Sequence, residues 1–266
     1  YFSPSLNNFK EILKIEKNIK GLCIVHIGGV IHPDINKIKK FCKSRNIFLV
    51  EDCAHSHGSV FDGCHSGNFG SGGAFSFFPT KVITTMEGGL ISTNSKKDYK
   101  LYLSLRNQGR RYGNFGGKSY DLGGSFRMTE ISAYLGLIQL KKINKNLNKR
   151  KSIIENLKKE LLKKNIQFVD TNHMNACSNY KFICLIPKKF KKKYVFDEFK
   201  RYNINLGGGV YDIPIHKQPV FKNLKIYSKL LKNTNNYCQK QFCLPIHPGL
   251  TDSDVNRIIK AINKIF

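Results

Sequence analysis

The chain has 266 residues, 41% of them apolar, and sets 45 Lys plus Arg against 18 Asp plus Glu for a formal net charge of +27. That length and apolar content are enough for one large domain or two small ones, and they exclude a disordered protein. No apolar run approaches the roughly 18 to 20 residues of a bilayer span, and Tyr1-Phe2-Ser3-Pro4-Ser5 has no basic-then-apolar signal pattern, so no membrane association is expected.

Alternating strands and helices are predicted through the first half. Leu22 to Ile27 is a short apolar run ending at Gly28-Gly29, the pattern of a buried strand and its turn. Pro33-Asp34 opens a helix with Ile35, Ile38, Phe41 and Cys42 on one face. Ile47 to Val50 is a second buried strand, and it delivers Glu51 and Asp52 at its carboxyl end. This strand-helix-strand unit implies a parallel sheet, in which ligands gather at the carboxyl ends of the strands. Ala74 to Phe78 and Gly89 to Thr93 read as further strands. Two charged helices follow, Lys96 to Asn107 and Thr129 to Lys164, the second long enough that a break is expected near Asn144 to Asn148.

A smaller α/β unit is predicted from Tyr180 to Ile186, a helix near Tyr194 to Tyr202, an apolar segment at Ile204 to Leu206, and a C-terminal helix. Thr251 and Asp254 mark the start of that last helix, with Val255, Ile258, Ile259, Ile262 and Ile265 as its apolar face. The domain transition is set near residue 140, giving domains 1–140 and 141–266. There is no internal repeat and no low-complexity linker.

The positive charge raises a nucleic-acid reading, but the lysines are dispersed. The run Lys188 to Lys193 reads as a loop leading into a helix. The lysines from Lys141 to Lys164 share a helix with Ile143, Leu147, Ile154, Leu157 and Leu161, the pattern of a solvated face beside an apolar stripe. The eight cysteines form no C-x-x-C pair and no zinc spacing, so no metal site is predicted. Reduced thiols in a cytoplasmic protein are the expectation.

Three residues stand in an order that suits pyridoxal 5'-phosphate (PLP). Asp52, at a strand end, could pair with the pyridine nitrogen and keep it protonated. Ser76 could bind the phosphate, and Lys81, after Phe77-Phe78-Pro79-Thr80, could carry the aldehyde as a Schiff base. Taken singly, each has an ordinary reading: a turn aspartate, a plain serine, a solvated lysine. Their order and spacing favour the joint one.

The sequence resembles the DegT/StrS-type sugar aminotransferases, PLP enzymes of fold type I. The resemblance is carried by Glu51-Asp52-Cys53-Ala54-His55, by Gly70 with Phe75-Ser76-Phe77-Phe78-Pro79-Thr80-Lys81, and by Glu87-Gly88-Gly89. It continues through Arg106-Asn107-Gln108-Gly109, Phe126-Arg127-Met128-Thr129-Glu130 and Gly136 to Leu140. The last blocks are Pro214-Ile215-His216-Lys217-Gln218-Pro219 and Pro245 to Thr251, so nearly the whole chain is covered. It implies a partial large domain with a mixed, mainly parallel sheet and a smaller C-terminal α/β domain. It also implies that Asp52 contacts the pyridine nitrogen, His55 lies against the cofactor or near its 3-hydroxyl, Ser76 binds the phosphate, and Lys81 is the catalytic lysine. Glycines 88 and 89 would supply positive φ and close backbone approach. Tyr211 and His216 fall near the family's substrate-side segment.

Two departures accompany the match. Ser125 stands where the family usually has an Asn that reaches the phosphate in the partner subunit's site. The lysine normally lies deeper in the chain, so an N-terminal segment with phosphate contacts, a stacking aromatic and part of the sheet is expected to be missing.

The implied activity is transfer of an amino group from glutamate or glutamine to a nucleotide-linked keto sugar, for amino-sugar or polysaccharide synthesis, by a homodimer. The alternatives are other fold type I PLP chemistry, a catalytically incompetent fragment, or a basic nucleic-acid binder. Related deoxysugar dehydratases carry histidine in place of the lysine, and Lys81 argues against that branch.

Overall fold

A computed structural model of the chain describes residues 2–111, 117–207, 209–223 and 231–266. They fall into two compact units. The first comprises residues 3–144 and 172–178, and the second residues 145–171 and 179–266 together with Phe2.

The first unit runs α1 (Leu6–Ile15), β1 (Gly21–Val25), α2 (Ile35–Ser44), β2 (Phe48–Asp52), the two-residue strands β3 (Val60–Phe61) and β4 (Cys64–His65), β5 (Gly72–Ser76), β6 (Gly89–Ser92), α3 (Lys96–Arg106) and the start of α4 (Glu130–Lys163). Its main sheet has the order β1-β2-β5-β6. The first three strands are parallel, and β6 is antiparallel to β5. Ile35, Ile38 and Cys42 of α2 are buried against Ile24, Leu49 and Phe69. Their i, i+3, i+7 spacing puts them on one helical face, which is why α2 lies flat on the sheet. Parallel pairing brings the carboxyl ends together: Val25 is in register with Asp52, and Asp52 with Ala74.

The sequence reading does not supply α1. Its start is a capping box in which the Ser5 side chain and Asn8 each satisfy the other's backbone. Phe9 is its one buried residue, and Leu6 and Leu13 pack against the same core from half-buried positions.

The expected break in α4 does not occur. The helix runs uninterrupted for 34 residues, and the two compact units part inside it, between Asn144 and Lys145. Asn144, Asn146 and Asn148 are indifferent helix formers, but no Gly or Pro lies between Leu137 and Lys163 to interrupt the hydrogen-bond ladder. From Arg150 onward its buried face is Ile153, Ile154, Leu157 and Leu161.

The second unit adds β7 (Phe182–Leu185), α5 (Lys192–Arg201), α6 (Lys232–Lys240), β8 (Gln241–Leu244) and α7 (Asp252–Ile265). β7 and β8 pair antiparallel, with Phe182 opposite Leu244. Ile204 and Leu206 are buried, but in irregular chain. The partner of β7 is β8, about 60 residues away in sequence, a non-local choice that local pattern does not reveal. α7 opens with Thr251 and Asp254 in a capping box and buries Val255, Ile258, Ile262 and Ile265.

Phe199 is fully buried and packs on Phe242 and Phe266. Phe199→Ala is expected to cost about 3–5 kcal/mol, read from the urea midpoint at constant slope; a loss under about 1 kcal/mol would show that the site refills.

Candidate active site

Asp52 is the last residue of β2, half-buried, and its Oδ1 accepts the Ala54 N–H at 3.0 Å. Neighbouring Glu51 is buried to 2% and turns to the opposite face of the strand. Its carboxylate takes four donors. Oε1 accepts Phe69 N–H at 2.7 Å and Gly70 N–H at 2.8 Å, and Oε2 accepts Gly67 N–H at 2.7 Å and lies 2.9 Å from His26 Nε2. Burial alone would raise the Glu51 pKa; His26 and the N–H groups of Gly70 and Gly67 outweigh it and hold the group below its usual value. The loop before β5 is thereby tied to β2. The end of β1 is tied there too, because His26 N–H donates to the Asp52 carbonyl at 3.1 Å.

His26, Glu51 and Cys53 offer ligand atoms within 4.8 Å of one another. A carboxylate has about four acceptor positions, and four donors already take them. Burial and the charge of Glu51 push the Cys53 thiol up to about 12, so it stays protonated. The trio is a hydrogen-bonded support.

Ser76 ends β5, two residues beyond the register partner of Asp52. Its Oγ accepts Phe78 N–H at 3.3 Å, which leaves the hydroxyl hydrogen to donate elsewhere. The turn bearing Lys81 is closed at its base. Phe77 N–H donates to the Gly88 carbonyl at 2.9 Å, and the Phe77 carbonyl accepts Thr85 N–H at 3.0 Å and Thr84 Oγ1 at 2.9 Å. Inside the turn, Val82, Ile83 and Thr85 are buried, while Lys81 is half-buried and its N–H donates to the Phe78 carbonyl at 3.0 Å. Positive φ falls on Met86 (φ 69), not on the two glycines expected to carry it. Gly88 is needed for close approach instead: a Cβ there would meet Thr85 Oγ1, and Met128 Cε at 3.0 Å.

His55 is half-buried beyond β2, and its Nδ1 accepts Gly28 N–H at 3.2 Å. His57, two residues on, is absent from the sequence-based set. It is buried to 4%, its ring lies 5.5 Å from that of Phe75 and 5.7 Å from that of Phe77, and neither ring nitrogen makes a hydrogen bond. Burial lowers its pKa to about 4; the Ser76 carbonyl opposes this, and the Lys81 charge adds to it. The turn from Ser76 to Lys81 thus lies beside an electrostatically coupled imidazole from the loop after β2. In sequence it stands between Ser56 and Gly58, so no local pattern marks it; its burial comes from Phe75 and Phe77, about 20 residues on.

The remaining sequence-predicted residues stand on other segments of the chain. Ser125 is exposed and bridges Asn107 at the end of α3. Tyr211 and His216 belong to the second unit; Tyr211 is exposed, and His216 Nε2 lies 2.9 Å from Asn235 Oδ1. A groove of about 700 Å³ runs along α3 past Tyr99, Leu103, Arg106, Arg110 and Asp121, apart from the strand ends.

Residues 8–263 match the DegT/DnrJ/EryC1/StrS aminotransferase family. The chain belongs to that family. It is 31% identical over 274 residues to an uncharacterised protein of Methanocaldococcus jannaschii, a match covering 97% of this chain and 70% of that one. It is 30% identical over 258 residues to the GDP-perosamine synthase of Vibrio cholerae, covering 95% of this chain and 68% of the synthase. Among solved structures, Helicobacter pylori PseC, an aminotransferase of pseudaminic acid biosynthesis, superposes with a TM-score of 0.84 at 27% identity, covering 96% of this chain and 70% of PseC.

DegT-family aminotransferases depend on PLP, and the donor set here fits it. At the strand ends the first unit offers a carboxylate for a pyridinium N–H, a hydroxyl with its hydrogen available for a phosphate, an imidazole and a primary amine. The unpartnered His57 nitrogens lie beside them.

Two stability predictions follow from the supports. Glu51→Gln turns an N–H₂ toward backbone donors and is expected to cost about 3–5 kcal/mol in urea unfolding at pH 7. His57 binds a proton near 6.5 when unfolded but only near about 4 when folded. Its contribution is full above pH 6.5 and is lost as the pH falls toward 4, by about 1.4 kcal/mol per pH unit. His57→Phe should flatten that part of the pH dependence; an unchanged slope between the variant and the native chain would refute the assignment.

Proposed function

We propose that this chain transfers an amino group from glutamate or glutamine to a keto sugar carried on a nucleoside diphosphate. The observation carrying the proposal is Lys81, held in a turn that is closed at its base and follows Ser76 at the sheet end bearing Asp52. The names of its relatives, GDP-perosamine synthase and PseC among them, support the substrate class.

Bound PLP supplies an electron sink that stabilises negative charge at the carbon losing its proton. The chain's own residues do the rest. Lys81 Nζ anchors the cofactor and, once released by the amino donor, moves a proton from the substrate carbon. Asp52 accepts the pyridine N–H and keeps that nitrogen protonated. Ser76 Oγ donates to the phosphate, and the Glu51 network holds the spacing between Asp52 and Ser76. Tyr211 and His216 are proposed on the substrate side.

The assembly we propose is a homodimer in the cytoplasm, with Ser125 reaching the partner's phosphate. Ile131, Tyr134, Leu137 and Leu140 recur every three residues along α4 with exposures of 51–84%. Phe126 and Leu122 are exposed as well, and large apolar side chains left in water in such number mark an interaction surface. No helix among the described residues is long and apolar enough to cross a membrane.

Lys81→Ala should prevent borohydride from fixing added PLP covalently to the chain and reduce glutamate-dependent amination of a GDP- or UDP-linked keto sugar by at least about a thousandfold. Retained amination would sink the assignment. Glutamate should also convert the cofactor to its amino form, and failure there would favour a different PLP reaction. Ile131→Lys with Tyr134→Lys should shift the mass measured by light scattering from dimer to monomer.

A further inference from the structure

Residues 172–178 return to the first unit, where they run beside the Gly28-Gly29 turn. Ser178 is fully buried there. Its Oγ donates to the His55 carbonyl at 2.5 Å, and its N–H donates to Ser59 Oγ at 3.0 Å. Ser59 Oγ in turn donates to the Gly29 carbonyl at 2.6 Å, a carbonyl also reached by the Cys177 thiol at 3.4 Å. Gly28 and Gly29 have φ of 69° and 96°. A Cβ on Gly29 would run into Ser178 Oγ and the His55 carbonyl, so the turn and the returning segment fit only because that residue is glycine.

The turn aims Gly28 N–H at His55 Nδ1, 3.2 Å away. A backbone N–H can only donate, so Nδ1 must accept and carries no hydrogen. The hydrogen of the neutral ring is then on Nε2. We infer that Gly28, Ser59 and Ser178 form a lock that holds His55 as its Nε2–H tautomer, the form in which the imidazole that the family resemblance sets near the cofactor's 3-hydroxyl can donate a hydrogen bond. Ser59 and Ser178 are positioning residues: they hold the His55 backbone and the turn that fixes its ring. The donor role rests on the PLP reading above, whereas the tautomer rests only on the geometry of this chain.

The test begins on the full chain without cofactor, labelled with ¹⁵N-histidine. A long-range ¹H–¹⁵N spectrum at neutral pH, with His55 assigned by its loss in His55→Gln, should show a protonated Nε2 and an unprotonated Nδ1. A protonated Nδ1, or shifts averaged between the two, would overturn the lock. Ser178→Ala and Ser59→Ala should each convert the fixed pattern to an averaged one, while Ser178→Thr keeps it. If both alanine variants retain the native pattern, the positioning role is wrong.

PLP dissociation constants then test the donor. The amide N–H₂ of Gln reaches about where Nε2–H sits, and that of Asn only about as far as Nδ1. His55→Gln should stay within about threefold of the native value and His55→Asn should weaken binding about tenfold. Equal weakening would overturn the donor role. Native protein that binds no PLP would overturn it together with the proposed function, and the spectrum would still decide the tautomer.

Discussion

A buried negative charge fixes the geometry on which the candidate site depends. Removing a carboxylate from water costs several kcal/mol unless strong donors replace the solvent. Glu51 has four of them: three backbone N–H groups from one loop, and His26 from the neighbouring strand. None can leave without exposing a buried charge to an apolar interior, so the loop over residues 67–70 is fastened to β2. β5 begins two residues after that loop and ends at Ser76. The distance from Asp52 to Ser76 is thereby a property of the sheet and not of flexible chain.

The same reasoning separates Lys81 from the other lysines. Lysines of α4 and α5 pair in surface bridges such as Lys163–Glu160, where solvent screening leaves little net energy. Lys81 sits in a turn fastened through both backbone groups of Phe77, over the buried side chains Val82, Ile83 and Thr85. Its charge is felt by His57, an imidazole that burial keeps neutral.

The two histidines of the Asp52 loop are held differently. His55 is tied by Gly28 N–H at the ring and by Ser178 at the backbone. His57 is held by packing against Phe75 and Phe77 and keeps two unsatisfied nitrogens.

Local pattern carried much of this protein. The runs at Leu22 and Ile47, the apolar face of α2, and the Thr251 start of α7 depend on neighbours within a turn or two, and they appear in the structure as their residues demand. The string from Ser76 to Lys81, with Asp52 before it, pointed to the cofactor chemistry for the same reason. Tertiary structure decided what depends on distant partners. Glu51 looked like part of a strand end until Gly67, Phe69 and Gly70 closed on it. β8 was hidden because its partner β7 lies far away in sequence, and Met86 took the positive φ because the loop closes at Gly88. Ser178 reaches His55 across 123 residues. Periodicity reports which face of an element is buried; it carries no information about which remote group will meet it, because that choice is made by packing of the whole chain.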